Sequence, residues 1–233
     1  MKIISYLQNK LGLSRRNITG LIDQGCIFVN GGKVEAYKQE LNNGDELFIN
    51  SVGLNFKEIY RVQDDQYDSE IIIFNKPIGY VVSKSDPNNK TIYDILPKEL
   101  KNYYYIGRLD KDSHGLLLLT NNPKLVNEYE HPKNQIKKEY IVQVNKPIGQ
   151  NDIKQCLKGI EDEGEILKIK SIEKLENDEI ENYKIILTEG KKRHIRRIFK
   201  FFGNRVIDLQ RISEGDYKLG NIKTGERESI KLN

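Results

Sequence analysis

The chain has 233 residues, 31% of them charged, and its 38 basic side chains outnumber 34 acidic ones to give a net charge of +4. No apolar run approaches the roughly 18 residues that suggest a membrane span, and the N-terminus lacks the apolar core of a signal peptide. The two cysteines, Cys26 and Cys156, lie far apart without a partner motif. We therefore expect a cytoplasmic protein with reduced thiols and no metal site.

Residues 1–53 are predicted to form a small unit of their own. Ser14 is suited to cap a second helix, and the short strands 26–29 and 46–49 follow it. Apolar residues at helical spacing predict the first helix and then the second: Ile3, Ile4 and Leu7, then Ile18, Leu21 and Ile22.

Arg15 and Arg16 stand in the first turn of the second predicted helix, where positive charge opposes the helix dipole. A bound phosphate would remove this cost, because backbone amides and arginines would converge on it. Two exposed arginines that contact no ligand are the alternative interpretation.

Residues 54–69 end in a polar stretch and are predicted to be a linker, which a larger unit, 70–233, follows. Strands and helices do not alternate strictly in that unit, so we predict an α+β fold with a largely antiparallel sheet. The predicted strands are 70–74, 80–83, 116–120, 139–144, 165–170 and 183–188. The predicted helices are 91–96, 123–129, 151–157 and 192–202.

The most informative segment, 107–121, is a charged turn that runs into four consecutive leucines. Asp110 lies between Arg108 and Lys111, and cations on both sides favour its ionised form. An ionised carboxylate at the mouth of an apolar strand is a candidate nucleophile or base. A salt-bridged turn without chemistry is the alternative.

The predicted helix 192–202 carries an apolar stripe and, beside it, a basic stripe. The apolar stripe is expected to face the core. The basic face and the lysines before it either bind nucleic-acid phosphates or are simply solvated. These cations are Lys191, Lys192, Arg193, Arg196, Arg197 and Lys200.

Tyr140 lies in the predicted strand 139–144, next to basic residues. Such a tyrosine is either an ordinary half-buried strand residue or, in a nucleic-acid enzyme, a platform on which an unpaired base stacks.

Together these segments resemble the RsuA/RluB/RluF-type pseudouridine synthases, which modify ribosomal RNA. The segments that match, in the family's order, are 75–79, 107–121, 138–140 and 189–197. Residues 1–53 resemble the S4-type RNA-binding domain (α-α-β) that these enzymes carry. His194 departs from the family pattern, which has glutamine at this position.

The resemblance implies that Asp110 is the catalytic aspartate and that Arg108 replaces the flipped nucleotide or holds its phosphate. It also implies that Tyr140 lies against the uracil and that Arg196 pairs with Asp110. No metal and no cofactor are expected. The RNA-binding residues are expected to be Ser14, Arg15, Arg16, Lys191, Lys192, Arg193, Arg197 and Lys200.

The implied fold is an S4-type domain followed by a pseudouridine synthase domain with a mainly antiparallel mixed sheet and flanking helices. The implied reaction converts a uridine to pseudouridine in large-subunit (23S) rRNA, on free RNA or an assembling ribosome, by a monomeric enzyme. Small-subunit (16S) rRNA and tRNA are alternative substrates. A non-catalytic S4-domain protein of ribosome assembly is an alternative of another class.

Overall fold

The computed structural model describes residues 2–11, 13–51, 56–62, 69–175 and 181–232. The chain divides into two compact units, Met1–Asp68 and Ser69–Asn233. Among the described residues, no helix is long and apolar enough to cross a lipid bilayer.

The first unit packs two helices and a four-stranded antiparallel sheet around a shared apolar core. Its helices are α1 (Ile3–Leu11) and α2 (Arg15–Asp23). Its strands are β1 (Ile27–Val29), β2 (Gly32–Lys33), β3 (Glu46–Ser51) and β4 (Phe56–Arg61), in the order β2-β1-β3-β4. The two predicted helices and the two predicted strands are therefore confirmed.

The predicted linker 54–69 is wrong over 56–61, because these residues form β4 and pair with β3 along its whole length. Val62 is buried in the core of the unit, so the chain does not leave the unit where the linker was expected. Residues 54–55 and 63–68 lie outside the described residues.

The second unit is an α+β structure with helices on a large sheet. The helices are α3 (Ile92–Ile95), α4 (Pro123–Glu130), α5 (Gln150–Lys158) and α6 (His194–Phe201). The strands are β5 (Ser69–Lys76), β6 (Tyr104–Ile106), β7 (His114–Thr120), β8 (Lys138–Val144), β9 (Ile160–Asp162), β10 (Glu165–Leu167), β11 (Ser171–Leu175), β12 (Asn182–Leu187), β13 (Val206–Glu214), β14 (Tyr217–Lys218) and β15 (Arg227–Leu232).

The sheet has the order β11-β12-β8-β13-β7-β5-β15, with β6 beside β7 and β14 beside β13. The β13–β7 pair is parallel and the other pairs of this sheet are antiparallel. This confirms the predicted mainly antiparallel mixed sheet. The central strands β5 and β7 are apolar and buried on both faces, which explains their unbroken hydrophobic sequences.

Apolar side chains cover both faces of the sheet. On one face α6 contributes Ile195, Ile198 and Phe199 to the core, which confirms the apolar stripe predicted for this helix. On the other face Leu125 and Val126 of α4 pack against the leucines of β7. This packing brings the start of α6 beside the turn that precedes β7.

The predicted helices are confirmed to within two residues at each end, and four of the six predicted strands are confirmed. Residues 80–83 are not a strand: Val81 makes a single bridge to Thr91 and the chain then bends. The predicted strand 165–170 ends at Leu167, because the next backbone N–H, that of Lys168, donates to His194 Nε2 (3.1 Å) instead of to a strand.

Gly115, the second residue of β7, allows the parallel strands β7 and β13 to approach each other. Its φ is +98°, and a Cβ at this position would lie 2.3 Å from the carbonyl oxygen of Arg211 and 2.9 Å from its nitrogen. No side chain fits there unless the two backbones separate.

We therefore expect Gly115→Ala to lower the free energy of unfolding by about 3 kcal/mol or more, from steric overlap and left-handed strain together. Gly220→Ala is the matched control, because Gly220 also has a positive φ (+57°) but a Cβ there would have no neighbouring atom within 4 Å. Urea denaturation followed by circular dichroism measures both. Equal losses for the two variants would contradict the close approach of the strands as the cause.

Candidate active site

The turn between β6 and β7 carries Asp110. Leu109 is buried beneath it, whereas the Asp110 side chain keeps 35% of its surface exposed. The Ser113 N–H donates to the Asp110 carbonyl oxygen (3.1 Å), and Gly107 begins the turn with a φ of +64°, which glycine adopts most easily. The turn buries its apolar residue and leaves the carboxylate open to solvent.

Lys76, the last residue of β5, holds this turn from inside the protein. Its side chain is fully buried, and its ammonium donates to the carbonyl oxygens of Ser113 (2.7 Å), Asp110 (3.1 Å) and Pro77 (3.1 Å). Burial lowers the pKa of Lys76 to about 8, although the carboxylates of Asp110 and Asp112 oppose that shift. The amine is therefore mostly protonated at neutral pH, with three donors matched to three acceptors.

The predicted pair between Arg196 and Asp110 is wrong. Arg196 Nε lies 3.3 Å from Asp112 Oδ2, and its Nη2 donates to the Asp112 carbonyl oxygen (2.7 Å). The arginine within ion-pairing distance of Asp110 is Arg193, whose Nη1 lies 4.0 Å from Asp110 Oδ2. Arg193 and Arg196 are one helical turn apart and converge on Asp112, which is the carboxylate that faces α6.

Asp112 joins the turn to α6. Arg193 donates to both of its carboxylate oxygens, at 3.2 and 2.9 Å. Burial raises the pKa of Asp112, but the hydrogen bond from Arg193 and the charge of Arg196 outweigh burial, so the pKa is lowered. Asp112 thus stays ionised near neutral pH and forms ion pairs with both arginines.

A cavity of about 880 Å³ opens above the turn. Tyr140 forms part of its wall and is only 7% exposed. Arg108 is exposed, and no carboxylate of a described residue forms an ion pair with it. The expected site residues that line this cavity are Arg108, Asp110, Tyr140, Lys191, Lys192 and Arg193.

A second groove, of about 500 Å³, follows α6 away from the cavity. Arg196, Arg197 and Lys200 line it, and Lys192 and Arg193 belong to both.

Arg197 is engaged with protein groups and is not free to bind RNA, contrary to the expectation. Its Nε lies 2.5 Å from Asp162 Oδ2 and its Nη1 lies 2.5 Å from Glu165 Oε2. Its Nη2 also donates to the Asp162 carbonyl oxygen (2.7 Å). Arg197 therefore anchors the β9–β10 hairpin on α6.

His194 and Lys191 attach the same hairpin. The Lys191 ammonium donates to the Ile166 carbonyl oxygen, so part of its hydrogen-bonding capacity is used within the protein. Burial lowers the pKa of His194 to about 4, and its Nε2 accepts from the Lys168 N–H. A neutral histidine therefore supplies the acceptor that a glutamine side chain would offer at this position.

Lys192 and Lys200 remain exposed, and neither side chain forms an ion pair with a described residue. Arg205 lines the same groove and is also exposed, although it was not predicted from the sequence. These three cations are the ones that the groove offers to an anionic ligand.

In the first unit, the predicted cap of α2 is confirmed. The Asn17 N–H donates to Ser14 Oγ (3.1 Å), so the hydroxyl of Ser14 is used within the helix. Arg15 and Arg16 are exposed in the first turn of α2, which contains no acidic residue.

Three buried charged residues near the cavity were not predicted from the sequence: Lys76, Arg211 and Glu214. Their common signal is a charge inside a strand that is otherwise buried, as in Lys76 after the apolar residues of β5. A buried charge is costly unless it is paired, so such a position points to a built polar network. Among the described residues, no cluster of three or more His, Cys, Asp or Glu side chains is arranged to hold a metal ion.

Comparisons with known proteins agree with this geometry. The family model for RNA pseudouridylate synthase matches residues 70–201. Ribosomal large subunit pseudouridine synthase B of Buchnera aphidicola subsp. Acyrthosiphon pisum is 34% identical over 231 residues, which cover 97% of this chain and 89% of the relative. The dual-specificity RNA pseudouridine synthase RluF of Escherichia coli K12 is 32% identical over 226 residues, which cover 97% of this chain and 74% of the relative.

A crystal structure of a pseudouridylate synthase aligns with 99% of this chain and 96% of its own, with a TM-score of 0.66 and 26% identity. The match extends over both units of the chain, and the turn of Asp110, Tyr140 and the start of α6 all lie inside the segment that the family model covers. The chain belongs to the RNA pseudouridylate synthase family and is an isomerase.

Proposed function

We propose that this protein converts a uridine of large-subunit ribosomal RNA into pseudouridine, with Asp110 as the catalytic carboxylate. The observation that carries the proposal is that Asp110 lines one cavity together with the buried Tyr140 and with Arg193. Arg193 Nη1 lies 4.0 Å from Asp110 Oδ2. The choice of RNA is supported by the Buchnera relative, which is a large-subunit enzyme.

The reaction rearranges the uridine without adding or removing atoms. The bond between N1 and C1′ breaks, the base rotates, and C5 bonds to C1′; C5 loses a proton and N1 gains one. An ionised carboxylate on a rigid turn can attack the sugar or the base, or accept the proton. Because the glycosyl transfer is intramolecular and involves no net change in oxidation state, it requires neither a redox cofactor nor a carrier for the transferred group.

A uridine within a helix must leave the stack before Asp110 can reach it, at a cost of a few kcal/mol. Stacking on Tyr140 would return about 1–3 kcal/mol. Arg108, exposed beside the carboxylate, is suited to occupy the vacated space or to hold the adjacent phosphate.

Two basic surfaces are proposed to bind the RNA backbone. The surface in the second unit consists of the groove cations Lys192, Lys200 and Arg205. The surface in the first unit, which we propose is an S4-type RNA-binding domain, consists of Arg15 and Arg16 at the start of α2. We further propose that the enzyme acts in the cytoplasm as a monomer, on free rRNA or an assembling ribosome.

Asp110→Asn should abolish tritium release from 23S rRNA labelled at uridine C5, because an amide is neither a nucleophile nor a base. RNA affinity should change less than threefold, since the side chain remains the same size. Tritium release and filter binding measure the two effects.

Asp112→Asn is the matched control for Asp110→Asn, because it removes one negative charge from the same turn, and it should retain measurable activity. Transcripts of 16S rRNA and tRNA test the alternative substrates. Wild-type protein that releases no tritium from any RNA would overturn the proposal in favour of a non-catalytic ribosome-assembly protein. Normal release by Asp110→Asn would remove Asp110 from the chemistry.

Arg15→Ala combined with Arg16→Ala should weaken RNA binding and flatten its dependence on salt. Each lost phosphate contact changes the slope of log K against log salt by about 0.7–0.9, so we expect a change of about 1.5. The control removes two exposed cations from elsewhere on the same unit, Lys38→Ala with Lys57→Ala. An unchanged slope in the arginine variant would mean that these residues do not contact phosphate.

A further inference from the structure

A buried ion pair lies next to the cavity and has no part in the chemistry described above. Arg211 and Glu214, both on β13, are 1% and 0% exposed, and Arg211 Nη2 lies 3.2 Å from Glu214 Oε2. The strand has an irregular register between Arg211 and Ser213, opposite β8. That irregularity, together with the spacing of three residues, lets both charged side chains turn to the same side.

The pair makes its other contacts inside the protein. Arg211 Nε donates to the carbonyl oxygen of Leu116 (2.8 Å), which fixes the guanidinium against β7. On the other side, the ammonium of Lys138 lies 3.5 Å from Glu214 Oε1. Arg211 and Lys138 both line the cavity. The network thus extends from the centre of the sheet to the cavity wall.

The guanidinium of Arg211 also interacts with the hydroxyl of Tyr140. The two residues are direct partners in the β8–β13 ladder, so their side chains leave the sheet side by side. Burial raises the pKa of Tyr140, and Arg211 opposes that shift. The hydroxyl is therefore neutral at physiological pH, with a charged donor beside it.

The same pair reaches the start of the turn that carries Asp110. A Cβ on Gly107 would lie 3.3 Å from Glu214 Oε1 and 3.4 Å from Arg211 Nη1. The ion pair therefore lies directly beneath the backbone at Gly107. The same ion pair therefore adjoins both the tyrosine on the cavity wall and the first residue of the turn.

Stability alone does not account for this arrangement. Removing two charges from water is costly, and buried ion pairs are often replaced by apolar residues of similar size without loss of stability. The neighbours that the charges contact offer a better explanation, and they include Tyr140 and Gly107.

We propose that Arg211, held in place by Glu214, is a positioning residue that orients Tyr140 towards the flipped base and sets the start of the Asp110 turn. The inference rests on the proposed function, because it takes Tyr140 as the surface against which the uracil lies. Arg211 itself acts through Tyr140 and is not placed in contact with the reacting atoms.

The test replaces both charged residues in one protein, with Arg211→Met and Glu214→Leu, which we call the apolar-pair variant. This variant should melt within a few degrees of the wild type and bind 23S rRNA with a Kd changed less than threefold. Its single-turnover rate of pseudouridine formation should fall at least tenfold. Ser213→Ala, buried on the same strand between the two residues, is the control and should leave the rate unchanged.

A second comparison tests whether the pair acts through Tyr140. If it does, combining Tyr140→Phe with the apolar-pair variant should give a rate no lower than that of the slower of these two variants measured separately. The reason is that the effects of groups that act together are not additive. If the fold reductions in rate of the two variants multiply in the combined variant, the link to Tyr140 would be overturned. A wild-type rate in the apolar-pair variant would overturn the positioning role altogether.

Two further measurements separate the possible failures. The ring carbon bonded to the hydroxyl of Tyr140, observed by NMR in ¹³C-tyrosine-labelled protein without RNA, should shift in the apolar-pair variant. If the wild type forms no pseudouridine but this signal shifts, the proposed function fails and the contact with Tyr140 stands.

If the apolar-pair variant does not fold, Arg211→Lys is used instead, because it preserves the charge but not the planar fork of the guanidinium. This variant should still slow turnover. A wild-type rate would overturn the proposal.

Discussion

The buried ammonium of Lys76 is the interaction on which the rest of the site depends. It joins the end of β5 to the turn before β7 through three carbonyl oxygens, those of Pro77, Asp110 and Ser113. An unpaired charge in this position would be costly, so the turn must place the carbonyl oxygens of Asp110 and Ser113 towards the buried ammonium. In that conformation the Asp110 side chain points outward, into the cavity.

Around this fixed turn, the charged groups divide into those that build the site and those that remain for RNA. Asp112 forms ion pairs with Arg193 and Arg196, and carboxylates of the β9–β10 hairpin form ion pairs with Arg197. The pairs with Asp112 hold α6 beside the turn, and those of Arg197 hold the hairpin on α6, so the basic helix has a structural role. The exposed cations then line the cavity rim and the groove, where an anionic backbone would pass.

The sequence predicted the apolar strands and amphipathic helices well, because burial of β5, β7 and α6 leaves a periodic pattern. It missed β13, whose sequence mixes apolar residues with Arg211 and Glu214, because a charged strand looks exposed until its partners are known. The turn of Asp110 and the position of Tyr140 were identified from motifs, but the partner of Arg196 was not. Which carboxylate of a turn meets which arginine of a helix depends on the rotation of that helix, and local sequence does not encode it.

The most direct test of this account is the single-turnover rate of Lys76→Met, measured together with hydrogen exchange at the amides of 107–113. Methionine fills the buried space but donates to none of the three carbonyls. We predict a folded protein with unchanged RNA affinity, a rate of pseudouridine formation at least about 100-fold lower (roughly 2.7 kcal/mol in the barrier), and faster exchange confined to the turn. A variant that reacts at the wild-type rate with unchanged exchange would contradict the claim that Lys76 holds the turn of Asp110.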